Sequence, residues 1–289
     1  SVLVDRDGHQ HSLETATISG LPEDVNWPEP VMLKAADGKT DTYGVIFRPS
    51  NFDPSQRYPV LDCTYNYATP VGSFTNNTTG ERHYLSAWAY AELGFICVMI
   101  FNRGNEGLRD TAFNSYQDPK LPLEAMRFRF NKEDCVAGIQ QLAEQHSYMD
   151  LDRVGVVEFG SIPTAVAGLL LYPDFYKVGV SINAQTDSRL FGCIATQDEG
   201  YPELEDFAED LKGKLLIIHG MLEDVITPAM MFRMVEALQK ANKRFDMLLL
   251  PNLGHGSTSY TIQRSWDYMV EHLLGEEPPE AFRLKTVFG

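Results

Sequence analysis

The feature that most constrains this chain is a series of short apolar runs separated by stretches of helical spacing. The runs fall at residues 42–48, 58–65, 95–101, 153–159, 178–182, 215–219 and 245–250. Several are continuously apolar, such as Phe95-Ile96-Cys97-Val98-Met99-Ile100-Phe101. A strand reads that way when both of its faces are buried, as in a parallel sheet covered by helices. Between the runs, apolar residues recur at helical spacing over 84–93, 132–145, 164–171, 228–241 and 262–274. Gly94 is placed to cap the first of these helices. The expected fold is α/β: a mostly parallel, doubly wound sheet with helices on both faces and right-handed crossovers.

The 289 residues suffice for one large domain or two small ones. Forty Asp and Glu against 24 Lys and Arg leave a net charge of −16. That balance argues against a nucleic-acid partner, whose phosphates need a basic surface, and against docking on an anionic membrane. No apolar run approaches the ~20 residues of a membrane span. Ser1-Val2-Leu3-Val4-Asp5 does not read as the start of a signal peptide. Cys63, Cys97, Cys135 and Cys193 form no C-x-x-C pair and read as free core thiols. Asn76-Asn77-Thr78-Thr79 carries two overlapping N-x-T sequons, which matter only in a glycosylating compartment; the compartment itself stays open. Residues 1–30 read as a strand, an Asp7-Gly8 turn and a proline-rich extended linker. Residues 31–275 read as the folded domain and 276–289 as a C-terminal tail. Residues 197–210 hold seven acids and are expected to form a solvated loop or an acidic lid.

Chemistry concentrates at three strand ends. The stretch Arg153-Val154-Gly155-Val156-Val157-Glu158-Phe159-Gly160-Ser161-Ile162-Pro163-Thr164 runs from a buried strand through a tight turn into a helix. α/β-Hydrolases place their nucleophile elbow, G-x-S-x-G, at such a turn. Downstream, one strand ends at His219-Gly220 and is followed by Glu223 and Asp224; a later strand is followed by Gly254-His255-Gly256. The order of elbow, acid and histidine is the α/β-hydrolase order.

These residues, with others in register, resemble the C-terminal catalytic domain of the prolyl oligopeptidase / dipeptidyl peptidase IV family. The resemblance runs over about residues 30 to 275. It is carried by Asp37-Gly38, Tyr43-Gly44, Arg48-Pro49-Ser50-Asn51-Phe52-Asp53-Pro54, Tyr58-Pro59-Val60-Leu61, Arg103-Gly104, Glu133-Asp134, Tyr172-Pro173-Asp174 and His219-Gly220. It implies an α/β-hydrolase fold for residues 31–275 and a serine-type peptidase activity near proline. It also implies an N-terminal β-propeller, absent from this chain, of which residues 1–30 would be the tail. The family often forms homodimers through this domain.

The family's elbow motif, G-W-S-Y-G-G, is broken here. The nucleophile's place falls on Gly160, the preceding glycine is Glu158, and Ile162 and Pro163 stand where two glycines follow. Ser161, one residue later, reads either as the N-cap of the next helix, with Pro163 in its first turn, or as a displaced nucleophile. Glu223 takes the place of the family's Asp, with Asp224 as its neighbour; both also read as loop acids near a helix N-terminus. His255 fits the histidine position. Tyr65 matches the tyrosine whose hydroxyl helps to hold the oxyanion, although Asn66-Tyr67-Ala68 replaces the G-G-P after it. The expected function is therefore a peptidase-family hydrolase domain with a degenerate elbow, inactive or nearly so. The alternatives are an active hydrolase of short peptides or small esters using Ser161, His255 and Glu223 or Asp224, and a non-catalytic interaction domain. The expected ligand is small and peptide-like. With no H-E-x-x-H, G-x-G-x-x-G or P-loop, no metal or organic cofactor is called for.

Overall fold

The apolar runs assemble into one sheet, because strands with two buried faces need helices above and below. A computed structural model describes residues 2–12, 25–64, 79–103, 123–160, 163–187 and 203–285. Strands β1 (Val2–Val4) and β2 (Gln10–Ser12) pair with each other as an antiparallel hairpin. The main sheet comprises β3 (Glu29–Lys34), β4 (Asp41–Phe47), β5 (Tyr58–Asp62), β6 (Ile96–Ile100), β7 (Met149–Phe159), β8 (Tyr176–Ile182), β9 (Lys214–Gly220) and β10 (Asp246–Leu250). Their order is β10-β9-β8-β7-β5-β6-β4-β3. Pairing is parallel from β10 to β6 and antiparallel from β6 through β4 to β3. This is the α/β-hydrolase architecture expected from the sequence.

The helices are α1 (Thr79–Glu92), α2 (Leu123–Gln145), α3 (Thr164–Leu171), α4 (Pro228–Lys240) and α5 (Ser259–Met269). The last continues as a π turn over Val270–Leu274 and stops at Gly275, whose φ is +77. They divide between the two faces. Ile139 and Leu142 of α2, Ala165 and Leu169 of α3, and Met231 and Leu238 of α4 pack with Val60 and Val156 in one core cluster. Ala87 and Trp88 of α1 and Tyr268 and Met269 of α5 pack with Leu61 and Cys97 in the other. Adjacent residues Val60 and Leu61 thus serve opposite layers, as the period-2 alternation of a strand requires. No helix among the described residues is long and apolar enough to cross a membrane.

Two segments differ from expectation. The boundary proposed at residue 30 falls inside β3, an edge strand that the Trp27-Pro28-Glu29-Pro30 stretch disguised as linker. An edge position tolerates Pro30, which cannot donate to a ladder. The acidic stretch, so far as it is described, is not a lid: Leu204–Asp210 form a 3-10 helix with Leu204 and Ala208 buried. Three of its acids are engaged: Glu203 and Asp206 make a reciprocal capping box, and Glu205 accepts from Arg233 of α4 at 2.7 Å. Cys193 and most of the sequon stretch lie outside the described residues.

One buried ion pair joins the sheet to a helix. Lys132 of α2 is 2.7 Å from Asp62 Oδ2 at the end of β5, and both side chains are sealed from water. Tyr176 Oη donates to the same oxygen at 2.7 Å, and the Thr64 amide donates to Asp62 Oδ1 at 3.0 Å. Burial alone would raise the Asp62 pKa; the ammonium and these donors override it and hold the carboxyl below its usual range. A pair of this kind adds little net stability, but removing one partner strands the other's charge. Lys132→Met is therefore expected to lower unfolding free energy by about 3–5 kcal/mol, and adding Asp62→Leu to recover most of it, as read by urea denaturation.

Candidate active site

The site follows from strand order. β5 has β7 on one side and β6 on the other, so the sheet reverses its winding between β5 and β7. Ligands in open α/β sheets bind at the carboxyl ends of strands flanking such a reversal. There β7 ends at Phe159. Gly160 follows with φ +108, and its N–H donates to Ile182 O at 3.0 Å. Backbone at that φ suits glycine and strains other residues. Gly160 thus stands between the end of β7 and α3, and it has no side chain.

Glu158 shapes this turn. It lies opposite Ser181 in the β7–β8 register, and Ser181 Oγ donates to Glu158 Oε1 at 2.6 Å. Glu158 Oε2 accepts the backbone N–H of Ala165, in the first turn of α3. The N-cap residue of α3 is Pro163, which makes no side-chain cap bond. The Ala165 amide is thus capped from the strand, by Glu158. Burial pushes the Glu158 pKa up to about 8, against the pull of the Ser181 and Ala165 donors and of Lys132.

The acid and histidine positions do come together. Glu223 sits in the loop between β9 and α4, fully buried. Its Oε1 accepts from Val225 N at 2.8 Å and from Ile226 N at 3.1 Å. Its Oε2 lies 2.8 Å from His255 Nδ1, and the His255 side chain is 41% exposed. A carboxylate accepts only, so Nδ1 carries the proton in this pair and Nε2 is left for a reacting group. Asp224 is exposed and does not take this role. Behind the loop, His219 Nε2 donates to Ile226 O at 3.0 Å. Burial lowers the His219 pKa and keeps this ring neutral.

The two loops touch through their backbones. Met221 N–H donates to Leu250 O and Leu222 N–H to Leu253 O, each at 2.9 Å. A Cβ on Gly220 would stand 2.4 Å from Leu253 O, so only glycine allows this approach. Of the residues singled out in the sequence, Gly160, Glu223 and His255 are placed at the sheet's carboxyl end, and Asp224 is set aside. Ser161 and Tyr65 lie outside the described residues. Sequence reading missed two participants: Glu158 as the cap of α3, and Asn183, whose buried amide contacts both loops. The signal for Asn183 was an asparagine directly after a strand, a residue type that tolerates left-handed backbone. In the β1–β2 hairpin, Asp5, Asp7 and His9 bring ligand atoms within 4.8 Å of one another, but all three are exposed. Asp5 already accepts from the Asp7 and His9 amides there.

Comparison with known proteins agrees with this geometry. The model of the prolyl oligopeptidase family matches residues 82–276. Mouse dipeptidyl peptidase 8 is 26% identical over 275 residues, which cover 89% of this chain and 29% of that protein. The crystal structure of a putative dipeptidyl aminopeptidase IV from Bacteroides ovatus superposes with a TM-score of 0.65 at 26% identity, over 87% of this chain and 36% of the other. Dipeptidyl peptidase 4 from Porphyromonas gingivalis gives a TM-score of 0.69 at 23% identity, over 86% and 36%, a likeness of fold. The chain thus spans about a third of the length of the proteins it matches.

The Glu158 carboxyl makes stability depend on pH in a defined direction. Its folded pKa lies above its unfolded value, so its contribution is complete below about pH 4.5 and is lost as pH rises toward 8. Glu158→Gln should remove from that window a slope approaching about 1.4 kcal/mol per pH unit, measured by urea unfolding between pH 5 and 8.

Proposed function

Because the chain belongs to the prolyl oligopeptidase family, we propose that it is a peptidase-fold domain that keeps the family's cleft and has lost acyl transfer, wholly or nearly so. The observation that carries this reading is Gly160. It follows β7 directly, at positive φ, where the family places its nucleophile, and it has no atom with which to attack a carbonyl. The assembled Glu223–His255 pair supports descent of the site from an acyl-transfer centre: a buried carboxylate orients a partly exposed imidazole through Nδ1. Loss of the nucleophile from such a centre costs on the order of 10⁶ in kcat. The retained cleft would take a small peptide-like ligand, the substrate class that the names of the dipeptidyl peptidase relatives imply. A β-propeller in the whole protein and a homodimer through this domain are part of the same proposal.

Two measurements test it. Intact-mass analysis after fluorophosphonate treatment is expected to give no adduct on the chain. An adduct mapped to Ser161 and lost in His255→Ala would overturn the reading in favour of a nucleophile displaced by one residue. Turnover of a proline-containing peptide that His255→Ala abolishes would overturn it equally. A library of short proline-containing peptides is expected to include members that raise the melting temperature, since a ligand at 100 times its Kd adds about 2.7 kcal/mol to the native state. The absence of any shift would favour a domain that serves only as an interaction surface.

A further inference from the structure

We propose that Asn183 is a positioning residue for the Glu223–His255 pair, clamping the acid loop and the histidine loop to the end of β8. The inference rests on the reading of that pair as the retained part of the cleft. Asn183 directly follows β8, is 1% exposed, and holds φ at +50. Left-handed backbone in a non-glycine residue persists only where the surroundings fix it. Here the surroundings use every polar group that the side chain offers outward. Its Oδ1 accepts the Gly220 N–H at 2.9 Å, and its Nδ2 donates to Gly256 O at 3.1 Å. Its own N–H donates to Ile218 O at 3.0 Å, anchoring it across to β9.

These bonds sit where they control the pair. Gly220 is the last residue of β9, and the loop carrying Glu223 leaves from it. Gly256 is the residue after His255. The acid loop is fastened to the other side of the histidine loop by Leu222 N–H to Leu253 O, two residues before His255. Asn183 supplies the fastening on the far side, so His255 is held between two fixed points. The preceding residue, Ile182, accepts the N–H of Gly160 through its carbonyl. The carboxyl end of β8 therefore ties all three parts of the site together: turn, acid and histidine. A side chain that merely satisfied buried backbone would not need to meet both loops at once.

The tautomer of His255 reads out positioning directly. Free neutral imidazole favours the Nε2–H form, whereas alignment on Glu223 Oε2 holds the proton on Nδ1. Ring-nitrogen NMR shifts of the full chain at a pH where the ring is neutral distinguish the two, with His255→Ala assigning the signal. His219, fixed by Ile226 O, serves as an internal reference. Asn183→Gly accepts φ +50 without strain and removes both side-chain bonds. Asn183→Asp keeps the acceptor for Gly220 but sets an oxygen against Gly256 O. The expected result is a dominant Nδ1–H form in the parent and a mixed population in both variants, with the His219 signal unchanged. A His255 signal that stays Nδ1–H in either folded variant overturns the proposal; if Asn183→Gly fails to fold, Asn183→Asp decides. The outcome is separable from that of the proposed function, because a phosphonate adduct on the parent would leave the tautomer comparison standing.

Discussion

The Lys132 ammonium is the charge on which the carboxyl end of the sheet depends. It is sealed in the interior beside Asp62 at the end of β5, and it also acts on Glu158 near the end of β7. These two strands flank the reversal of the sheet, so one helix residue sets the electrostatics on both sides of the crevice. Lys132, Asp62 and Glu158 share this dry space with Tyr176 and Cys135. Asp62 takes the direct contact and stays charged. Glu158 has no such close cation among the described residues, and burial raises its pKa to about 8.

The turn after β7 inherits this arrangement. Two residues before Gly160, Glu158 places a buried carboxyl tied to Ser181 and to the first turn of α3. The strand itself thus caps an amide in the first turn of α3. Gly160 and Glu158 are therefore one structural solution. The backbone takes a positive φ that glycine carries easily, and the neighbouring acid supports the helix that follows.

The acid–histidine pair is assembled by the loops that follow β9 and β10. Glu223 is held by the amides of its own loop, and His255 is held against it by backbone contacts between loops that follow β9 and β10. Asn183 is the point at which the two halves communicate, through the end of β8.

The sequence by itself determined the layers and the strand ends at which the candidate residues sit. Continuous apolar runs such as 95–101 can satisfy both faces only inside a covered parallel sheet, so the α/β class was legible from hydrophobic patterning alone. The positions of Gly160, Glu223 and His255 were legible too, because each follows the end of such a run. Where patterning met proline, as at Glu29–Lys34, or a dense cluster of acids, as at Leu204–Asp210, local composition misled, since pairing with an edge and burial of two apolar residues outweigh it. Only the tertiary structure decided that Glu223 rather than Asp224 meets the histidine, that Glu158 caps α3, and that Asn183 joins both loops. Each is a contact between residues far apart in the chain. Its partner is fixed by strand register and by the direction in which a side chain leaves the backbone, and no local pattern encodes either.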